Sequence, residues 1–334
     1  MKIIEFSGIQ GLEKIGKGAQ ATIYRVPPGA LDSRIQEPVA IKKYSKKMLQ
    51  GNESAIGPYL NMLIENRISA SASIRRTIDQ YTIWPRVVIY EDGVVCGFAM
   101  NLIPDRFFAH YVDVTGAETA DSNFDFILND DRTRRNLGLP VLNAVGRAKI
   151  TYDLLLVISK LHSYGFVVGD ISPNNILVYV DPVQQKHNRV LFIDSDSFRK
   201  ANHTHPLKQP HTKNWFPPEA WTARQQRISL ERSNGDPNQI MRCRIMEFIQ
   251  NTQTDIYKTC LAILRLYHTG DQRTSISESN QAIHDIRRII SVEFADFIQK
   301  GLDATPANRP TGQALFASFC NALEERRRDR REAR

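Results

Sequence analysis

The fold is decided by one stretch of the sequence, in which a predicted helix gives way to a polar loop and then to a strand. The stretch reads Leu161-His162-Ser163-Tyr164-Gly165-Phe166-Val167-Val168-Gly169-Asp170-Ile171-Ser172-Pro173-Asn174-Asn175-Ile176-Leu177-Val178. Apolar residues at helical spacing over 148–164 predict the helix, and Gly165 is a typical helix stop. Asp170 and Asn175 lie five positions apart in the loop, directly before the predicted strand at 176–180. An Asp–Asn turn is the simpler interpretation, but the flanking helix and strand favour a carboxylate and an amide with a chemical role.

A second pair of carboxylates follows the next predicted strand. Residues 190–193 are apolar, and Asp194 and Asp196 come directly after them. A carboxylate at the end of a buried strand can face a cleft, and Mg²⁺ prefers hard oxygen ligands of this kind. Asp194 is therefore the candidate metal ligand, whereas Asp196 is either a second ligand or a capping residue.

Short strands are predicted through most of the first hundred residues, at 12–15, 22–26, 39–44, 87–90 and 94–100. Gly16 and Gly18 lie between the first two of these strands, where a tight hairpin and a phosphate-binding loop would use glycine equally well. Lys42 lies on the third strand, where a lysine is ordinarily a solvated edge residue.

One helix interrupts these strands near 59–70, where four apolar residues recur at helical spacing: Leu60, Leu63, Ile64 and Ile68. Glu65 lies near the edge of that apolar stripe and could pair with Lys42. Glu53 is the competing partner, but its surroundings are typical of a loop. We therefore predict a Lys42–Glu65 ion pair.

Taken in order, these motifs resemble those of the protein-kinase superfamily. Phosphoryl transfer needs a phosphate cradle, a cation, oxygen ligands for a metal, and a carboxylate near the attacking hydroxyl, and the chain offers each in turn. The Lys42 strand and the loop of Asp170 resemble the lysine strand and catalytic loop of the family. Three further segments continue the family's order toward the C-terminus: Phe216-Pro217-Pro218-Glu219, Asp255-Ile256-Tyr257 and Asn308-Arg309-Pro310.

The resemblance covers nearly the whole chain and implies an α+β, bilobal protein-kinase-like fold. A β-rich small lobe would span 1–103, a mainly helical large lobe 104–323, and a basic tail 324–334. Residues 105–140 and 222–251 have no assigned role.

The resemblance also implies a role for each motif residue, with ATP and Mg²⁺ as cofactors and Mn²⁺ as an alternative metal. Asp170 would be the catalytic carboxylate, Lys42 would hold the phosphates beside Glu65, and Asn175 and Asp194 would bind the metal. The nucleotide would contact Gly16, Gly18, Ile23, Ala40, Lys42, Met100, Asn101, Ile103 and Leu177. Met100 would gate the back of the adenine pocket, and 101–103 would form the hinge.

Two structural contacts are implied in the large lobe. Glu219 would form a buried ion pair with Arg309, and breaking such a pair costs about 3–5 kcal/mol. Asp255 would brace the backbone of the catalytic loop.

Within that superfamily the chain resembles a set of divergent bacterial kinase-like proteins, which share Gly169-Asp170, the segment 193–198 and Gly97-Phe98-Ala99-Met100. Three residues depart from the wider family pattern. Ala21 replaces the third loop glycine, and Ser195-Asp196 stand where Phe-Gly is usual, so the usual apolar plug is lost or is supplied by another residue such as Phe198. Gly169 replaces an arginine that reads a phosphorylated loop, which predicts activity without phosphorylation of 197–215.

The resemblance implies a serine/threonine protein kinase that acts on a protein substrate. The alternative is a pseudokinase scaffold that binds nucleotide and a protein partner without phosphoryl transfer; a kinase for a small molecule fits the Pro-Pro-Glu segment less well. Some relatives are linked to a metal-dependent phosphatase, which is therefore a candidate partner.

The composition bears on the size of the core, the possible partners and the cellular compartment. The chain of 334 residues is 42% hydrophobic, enough for a sizeable core, and carries a net charge of +8, much of it in 326–334. That tail could contact nucleic acid, although a solvated surface helix is the simpler interpretation. Four scattered cysteines without a CxxC pair argue against a zinc or disulfide framework and favour a reducing cytoplasm. No apolar run approaches membrane-spanning length, so no membrane association is predicted.

Overall fold

The computed structural model of the protein describes residues 4–32, 36–201, 203, 206, 210–268 and 276–332. The protein is α+β, and its internal contacts divide it into two compact units. The first unit comprises residues 1–105 and 192–208, and the second comprises 106–191 and 209–334. The division at 105 lies close to the predicted lobe boundary at 103. The segment 192–208, which the sequence pattern had grouped with the large lobe, belongs to the first unit.

A mixed six-stranded sheet forms the first unit. Its strands are β1 (Ile4–Glu5), β2 (Glu13–Lys17), β3 (Ala21–Val26), β4 (Val39–Tyr44), β5 (Pro85–Glu91) and β6 (Val94–Asn101), in the order β1-β5-β6-β4-β3-β2. β1 pairs with β5 in parallel, and all other neighbours are antiparallel. The five predicted strands are present, whereas β1 was not predicted.

Three helices accompany the sheet: α1 (Lys46–Leu49), α2 (Glu53–Ser69) and α3 (Ala72–Tyr81). The helix predicted near 59–70 is the C-terminal part of α2, which begins earlier, at Glu53. Glu53 therefore starts a helix instead of lying in a loop. α3 was not predicted; it begins after Ser71, whose hydroxyl accepts a hydrogen bond from the backbone N–H of Ile74.

The two faces of the sheet have different roles. One face carries the apolar core of the unit, formed by Ile9, Val26, Leu31, Val39, Ile41, Ile89, Cys96 and Ala99. Residues that pair across neighbouring strands share a face, and the pairing aligns Ile23 with Lys42 and Lys42 with Phe98. Lys42 directly follows the core residue Ile41, and Phe98 directly precedes the core residue Ala99, so Lys42 and Phe98 lie on the opposite face.

The second unit is mainly helical. Its helices are α4 (Phe124–Leu128), α5 (Asp131–Asn136), α6 (Ala144–Ser163), α7 (Pro218–Arg232), α8 (Pro237–Glu247), α9 (Thr252–Tyr267), α10 (Ile276–Ile289), α11 (Val292–Gly301) and α12 (Gly312–Glu332). Its strands are β7 (Phe108–Asp113) and β8 (Gly116–Asp121), which form a hairpin, β9 (Phe166–Val167), and β10 (Ile176–Tyr179) with its partner β11 (Arg189–Phe192). A short strand, β12 (Arg199–Lys200), lies in the segment that belongs to the first unit.

Two helices, α6 and α9, anchor the second unit, and apolar residues at helical spacing over 148–164 and 254–267 predict both of them. α6 begins after Asn143, whose side chain accepts from the backbone N–H of Gly146. α9 begins with a reciprocal pair of hydrogen bonds between Asn251 and Thr254, a capping box. α9 is buried along most of its length, and charged residues such as Asp255, Lys258 and Arg265 are buried together with its apolar residues. It therefore forms a fixed base for the loops that pack on it.

The regions without an assigned role are also ordered elements. Residues 105–140 contain the β7–β8 hairpin with α4 and α5, and 222–251 contain most of α7 and all of α8. The predicted basic tail is the end of α12 as far as Glu332; residues 333–334 lie outside the described part. None of the helices within the described ranges combines the length and the apolar character needed to cross a bilayer.

Candidate functional site

Lys42 forms the centre of a buried charge cluster in the first unit. Its Nζ donates to Asp196 Oδ1 at 2.8 Å and to Asp194 Oδ1 at 3.1 Å. Tyr44, two residues along the same strand, donates its hydroxyl to Asp196 Oδ2 at 2.8 Å. The two carboxylates differ in exposure: the side chain of Asp194 is 48% exposed and that of Asp196 only 7%. Asp196 is therefore the inner partner of Lys42, and Asp194 is the outer one.

The cluster fixes the protonation states of its members. Burial lowers the pKa of Lys42, but the charges of Asp196 and Asp194 outweigh it and leave that pKa raised above its ordinary value. Burial, followed by the charge of Asp196, raises the pKa of the Tyr44 phenol well above its usual range. Lys42 is consequently a cation and Tyr44 a neutral donor throughout the physiological range.

Backbone contacts hold the turn that contains both carboxylates. Asp194 adopts the left-handed conformation with φ of +55°, which is uncommon for a residue other than glycine. The Ser195 hydroxyl donates to the carbonyl of Ile83, and the N–H of Ile83 donates to the carbonyl of Phe192 at 2.8 Å. These bonds anchor the turn to the chain just before β5.

Phe198 supplies the apolar group that the sequence pattern lacks at 195–196. Its ring is buried and packs edge-to-face against Trp84 at 5.6 Å and Phe192 at 6.5 Å. The hydroxyl of Tyr59 on α2 donates to the carbonyl of Phe198. The turn is thus packed into the first unit on the far side of Asp196.

The predicted Lys42–Glu65 pair is wrong. Glu65 is exposed, and Lys42 bonds Asp194 and Asp196 instead. The physical reason lies in α2, whose inward positions are taken by Tyr59 and by apolar residues such as Leu63 and Ile64. Glu53, the competing candidate, is also exposed at the first turn of the helix.

The predicted nucleotide-contacting residues of the first unit lie along the face that carries Lys42. The register aligns Gly16 with Ile23 and Ala40 with Met100, so Ile23, Ala40 and Met100 share that face. Asn101 is the last residue of β6, and Ile103 follows two residues later. Leu177 belongs to the second unit, where it is buried within β10.

The two loop glycines are not required by backbone geometry. Neither Gly16 nor Gly18 has a positive φ. A Cβ at Gly16 would meet no atom closer than 3.7 Å, and at Gly18 none closer than 3.8 Å. A positive φ therefore does not explain these glycines, and a Cβ at either position would make only ordinary contacts.

Asp170 and Asn175 meet in the second unit. Asn175 Nδ2 donates to Asp170 Oδ2 at 2.8 Å and to the Asp170 carbonyl at 3.0 Å. Thr212 Oγ1 donates to the other carboxylate oxygen, Oδ1, at 3.3 Å. Thr212 was not predicted, because it lies in a polar segment with no periodic signal. Each oxygen of Asp170 is thus oriented by at least one donor.

The loop that carries Asp170 is braced from below, as predicted for Asp255. The buried carboxylate of Asp255 accepts from the N–H of Val168 at 2.7 Å and of Gly169 at 2.8 Å, and His162 Nε2 lies 3.0 Å from it. Lys258, one turn further along α9, donates to the carbonyl of Gly169 at 2.8 Å. Gly169 has φ of +80°, a conformation that L side chains rarely adopt, so the backbone favours glycine at this position.

The Glu219–Arg309 ion pair is also present as predicted. Arg309 Nη1 and Nη2 contact the two carboxylate oxygens of Glu219 at 2.9 and 2.7 Å in a bidentate geometry. Arg309 further donates to the carbonyls of Asp303 and Gln253, and its side chain is fully buried.

Each unit by itself presents an oxygen atom of the kind that Mg²⁺ prefers. Among the residues that the structure describes, no group of three or more His, Cys, Asp or Glu side chains could hold a metal alone. Mg²⁺ usually takes one or two protein carboxylates together with phosphates and waters. Asp194 Oδ2 and Asn175 Oδ1 accept no hydrogen bond from the described residues, so each presents one oxygen.

No protein-family model matches the chain, and no curated protein sequence is significantly similar to it. Function must therefore be inferred from these two groups of side chains.

Proposed function

We propose that the protein is an ATP-dependent serine/threonine protein kinase of the bilobal, kinase-like type. It transfers the γ-phosphoryl group of Mg-ATP to a hydroxyl group of a protein substrate. The observation that carries this proposal is the oriented carboxylate of Asp170, bonded by Asn175 and Thr212 on a loop that Asp255 braces.

Asp170 acts on the substrate hydroxyl. A carboxylate has about four lone-pair sites, and the bonds from Asn175 and Thr212 use two of them. A carboxylate oxygen of Asp170 accepts the hydroxyl proton while the hydroxyl oxygen forms its bond to the γ-phosphorus. The bond from that phosphorus to the bridging oxygen breaks, and ADP leaves. Holding the carboxylate in one orientation lowers the entropic part of the barrier.

Lys42 and the metal ligands act on ATP. Lys42 has three donors and uses two on Asp194 and Asp196, so a third can reach a non-transferred phosphate. Asp194, in the first unit, and Asn175, in the second, are each a candidate ligand of Mg²⁺ through a side-chain oxygen. When bound, Mg²⁺ neutralises charge on the β- and γ-phosphates.

Activity does not depend on a phosphorylated loop. The position before Asp170 is Gly169, which carries no side chain to read a phosphate. Lys258, the cation next to Gly169, is buried and donates to its carbonyl. Residues 202, 204–205 and 207–209 of the loop lie outside the described part of the chain.

Radiolabelled Mg-ATP tests the proposal, with a generic acceptor protein and the wild type beside Asp170→Asn and Asp194→Asn. Because each variant removes one charge without changing shape, we expect transfer to fall by about 10²-fold or more. Asp296→Asn, an exposed carboxylate of α11, is the matched control and should transfer at the wild-type rate. Nucleotide binding without transfer by the wild type would support the pseudokinase alternative and contradict the proposal.

A further inference from the structure

We infer that Asp196 is the residue that positions Lys42 for the nucleotide, and that it is not a metal ligand. The inference rests on the proposed function. It identifies which residue supplies the buried carboxylate that pairs with Lys42. By resemblance to kinases this carboxylate should come from α2, but the structure takes it from the turn that also carries Asp194.

The hydrogen bonds of Asp196 leave little capacity for a metal. Oδ1 accepts from Lys42 and Oδ2 accepts from Tyr44, both at 2.8 Å, and the side chain is buried. Mg²⁺ dehydrates reluctantly and keeps several waters, so it suits a carboxylate that faces solvent. Asp194 meets that condition because it is half-exposed and has one oxygen free of hydrogen bonds from described residues. Asp196 therefore positions Lys42, and Asp194 remains the candidate metal ligand.

The sheet makes Asp196 an effective anchor. Lys42 and Tyr44 are alternate residues of β4, so their side chains leave the same face. One carboxylate that bridges both of them holds the lysine stem along the strand. The Lys42 ammonium also lies 6.0 Å from the centre of the Phe98 ring on the neighbouring strand. Lys42 is thus restrained from several sides without any acidic residue of α2.

In this arrangement the position of Lys42 depends on the turn at 194–198 and not on α2. A shift of α2 would not remove a carboxylate from Lys42, because both carboxylates that Lys42 contacts belong to the turn at 194–198. The Tyr59 hydroxyl of α2 donates to the carbonyl of Phe198 in that turn. A shift of the turn at 194–198 would remove both the lysine anchor and the candidate metal ligand, which are two residues apart. The turn, and not the helix, is the element whose position decides nucleotide binding.

Nucleotide binding tests the inference without requiring phosphoryl transfer. A fluorescent ATP analogue is titrated into wild type, Asp196→Asn, Asp194→Asn and Glu65→Gln at a series of Mg²⁺ concentrations. We expect Asp196→Asn to weaken binding by about tenfold or more at every Mg²⁺ concentration, because a charged hydrogen bond to Lys42 is lost. Asp194→Asn should raise the Mg²⁺ concentration needed for half-maximal binding, and Glu65→Gln should match the wild type.

A double-mutant comparison separates positioning from a purely structural role. If Asp196 acts through Lys42, Asp196→Asn should cause no further loss of affinity in a Lys42→Met background. Tyr44→Phe removes one bond to Asp196 and keeps its charge, so it should weaken binding less, and it stands in should Asp196→Asn fail to fold. In transfer assays, Asp196→Asn should raise KM for ATP more than it lowers kcat.

Several outcomes would overturn the inference. One is a change in the Mg²⁺ requirement of Asp196→Asn that equals the change for Asp194→Asn. Another is a loss of affinity in Glu65→Gln as large as in Asp196→Asn, and a third is additive losses in the Lys42→Met background. A wild type that binds the analogue but transfers no phosphate would contradict the proposed function alone.

Discussion

Buried charges in this protein are matched by partners of three different kinds. Lys42 is matched by carboxylates, Asp255 by backbone N–H groups, and Arg309 by a bidentate carboxylate. An unmatched charge in a protein interior costs several kcal/mol, so each of these residues depends on its partner. Removing a partner should therefore be more harmful than removing an exposed charge.

Glu219→Gln tests this dependence in the second unit. The guanidinium of Arg309 is fully buried, and Glu219 supplies its only carboxylate among the described residues. We expect the free energy of unfolding, measured with urea, to fall by about 3–5 kcal/mol. The double variant Glu219→Gln/Arg309→Met should lose less than the two single variants added together, because it leaves no buried charge.

An exposed pair provides the control for Glu219→Gln. Arg287 and Asp296 lie 2.9 Å apart, but their side chains are 44% and 49% exposed. Asp296→Asn should change the free energy of unfolding by less than about 1 kcal/mol. Equal losses for the buried and the exposed pair would show that burial does not set the strength of the Glu219–Arg309 contact.

At the level of elements, the packing of β6 against β4 depends on one glycine. A Cβ at Gly97 would lie 2.1 Å from the carbonyl oxygen of Lys42, which is shorter than any real contact. Gly97→Ala must therefore push the two strands apart beside Lys42. We expect a loss of about 1–3 kcal/mol in the free energy of unfolding, together with weaker nucleotide binding. Urea unfolding and titration with a fluorescent ATP analogue measure the two effects.

Gly16→Ala is the matched control for the sheet. Gly16 also lies on a strand, but a Cβ there would meet Ile23 at 3.7 Å, an ordinary contact. Its free energy of unfolding should change by no more than about 0.5 kcal/mol. If Gly97→Ala were as stable as Gly16→Ala, close approach of β6 to β4 would not be the reason for a glycine at 97.

Periodicity predicted the elements with a strong apolar pattern, such as α6, α9 and the strands β2 to β6. α7 and α8 were missed because polar residues cover most of both helices. Local signals were nevertheless present: Pro218 opens α7, and the Asp236 side chain caps α8 one residue before Pro237. Such residues mark where a helix begins even when its apolar pattern is weak.

The candidate site was predicted where it depends on local sequence and missed where it depends on distant contacts. The Asp170–Asn175 bond joins residues five positions apart, within one loop. The Lys42–Asp196 bond joins residues 154 positions apart, and no pattern in the sequence indicates that contact. In the predicted apolar stripe of α2, Leu60, Leu63 and Ile64 are buried but Ile68 is exposed. A stripe also does not show which other segment pairs with a nearby charge.

At the level of the whole molecule, each unit contains a buried cysteine that can report on its unfolding. Cys96 belongs to the core of the first unit, and Cys260 is buried in α9 of the second. Burial raises the pKa of Cys96 to about 11 and that of Cys260 further still, so neither thiol reacts readily in the folded state. Cys243 is only half-buried and provides an internal standard.

Pulsed alkylation in increasing urea, read by mass spectrometry, follows both units in one sample. We expect Cys243 to react without urea, Cys96 to react next and Cys260 last, because the first unit is smaller and smaller units bury a lower fraction of their surface. An ATP analogue with Mg²⁺, at one hundred times Kd, should stabilise the first unit by about 2.7 kcal/mol. The urea concentration at which Cys96 reacts should rise accordingly. Lys42→Met should abolish that shift. Simultaneous labelling of Cys96 and Cys260 at all urea concentrations would instead indicate that the two units unfold as one.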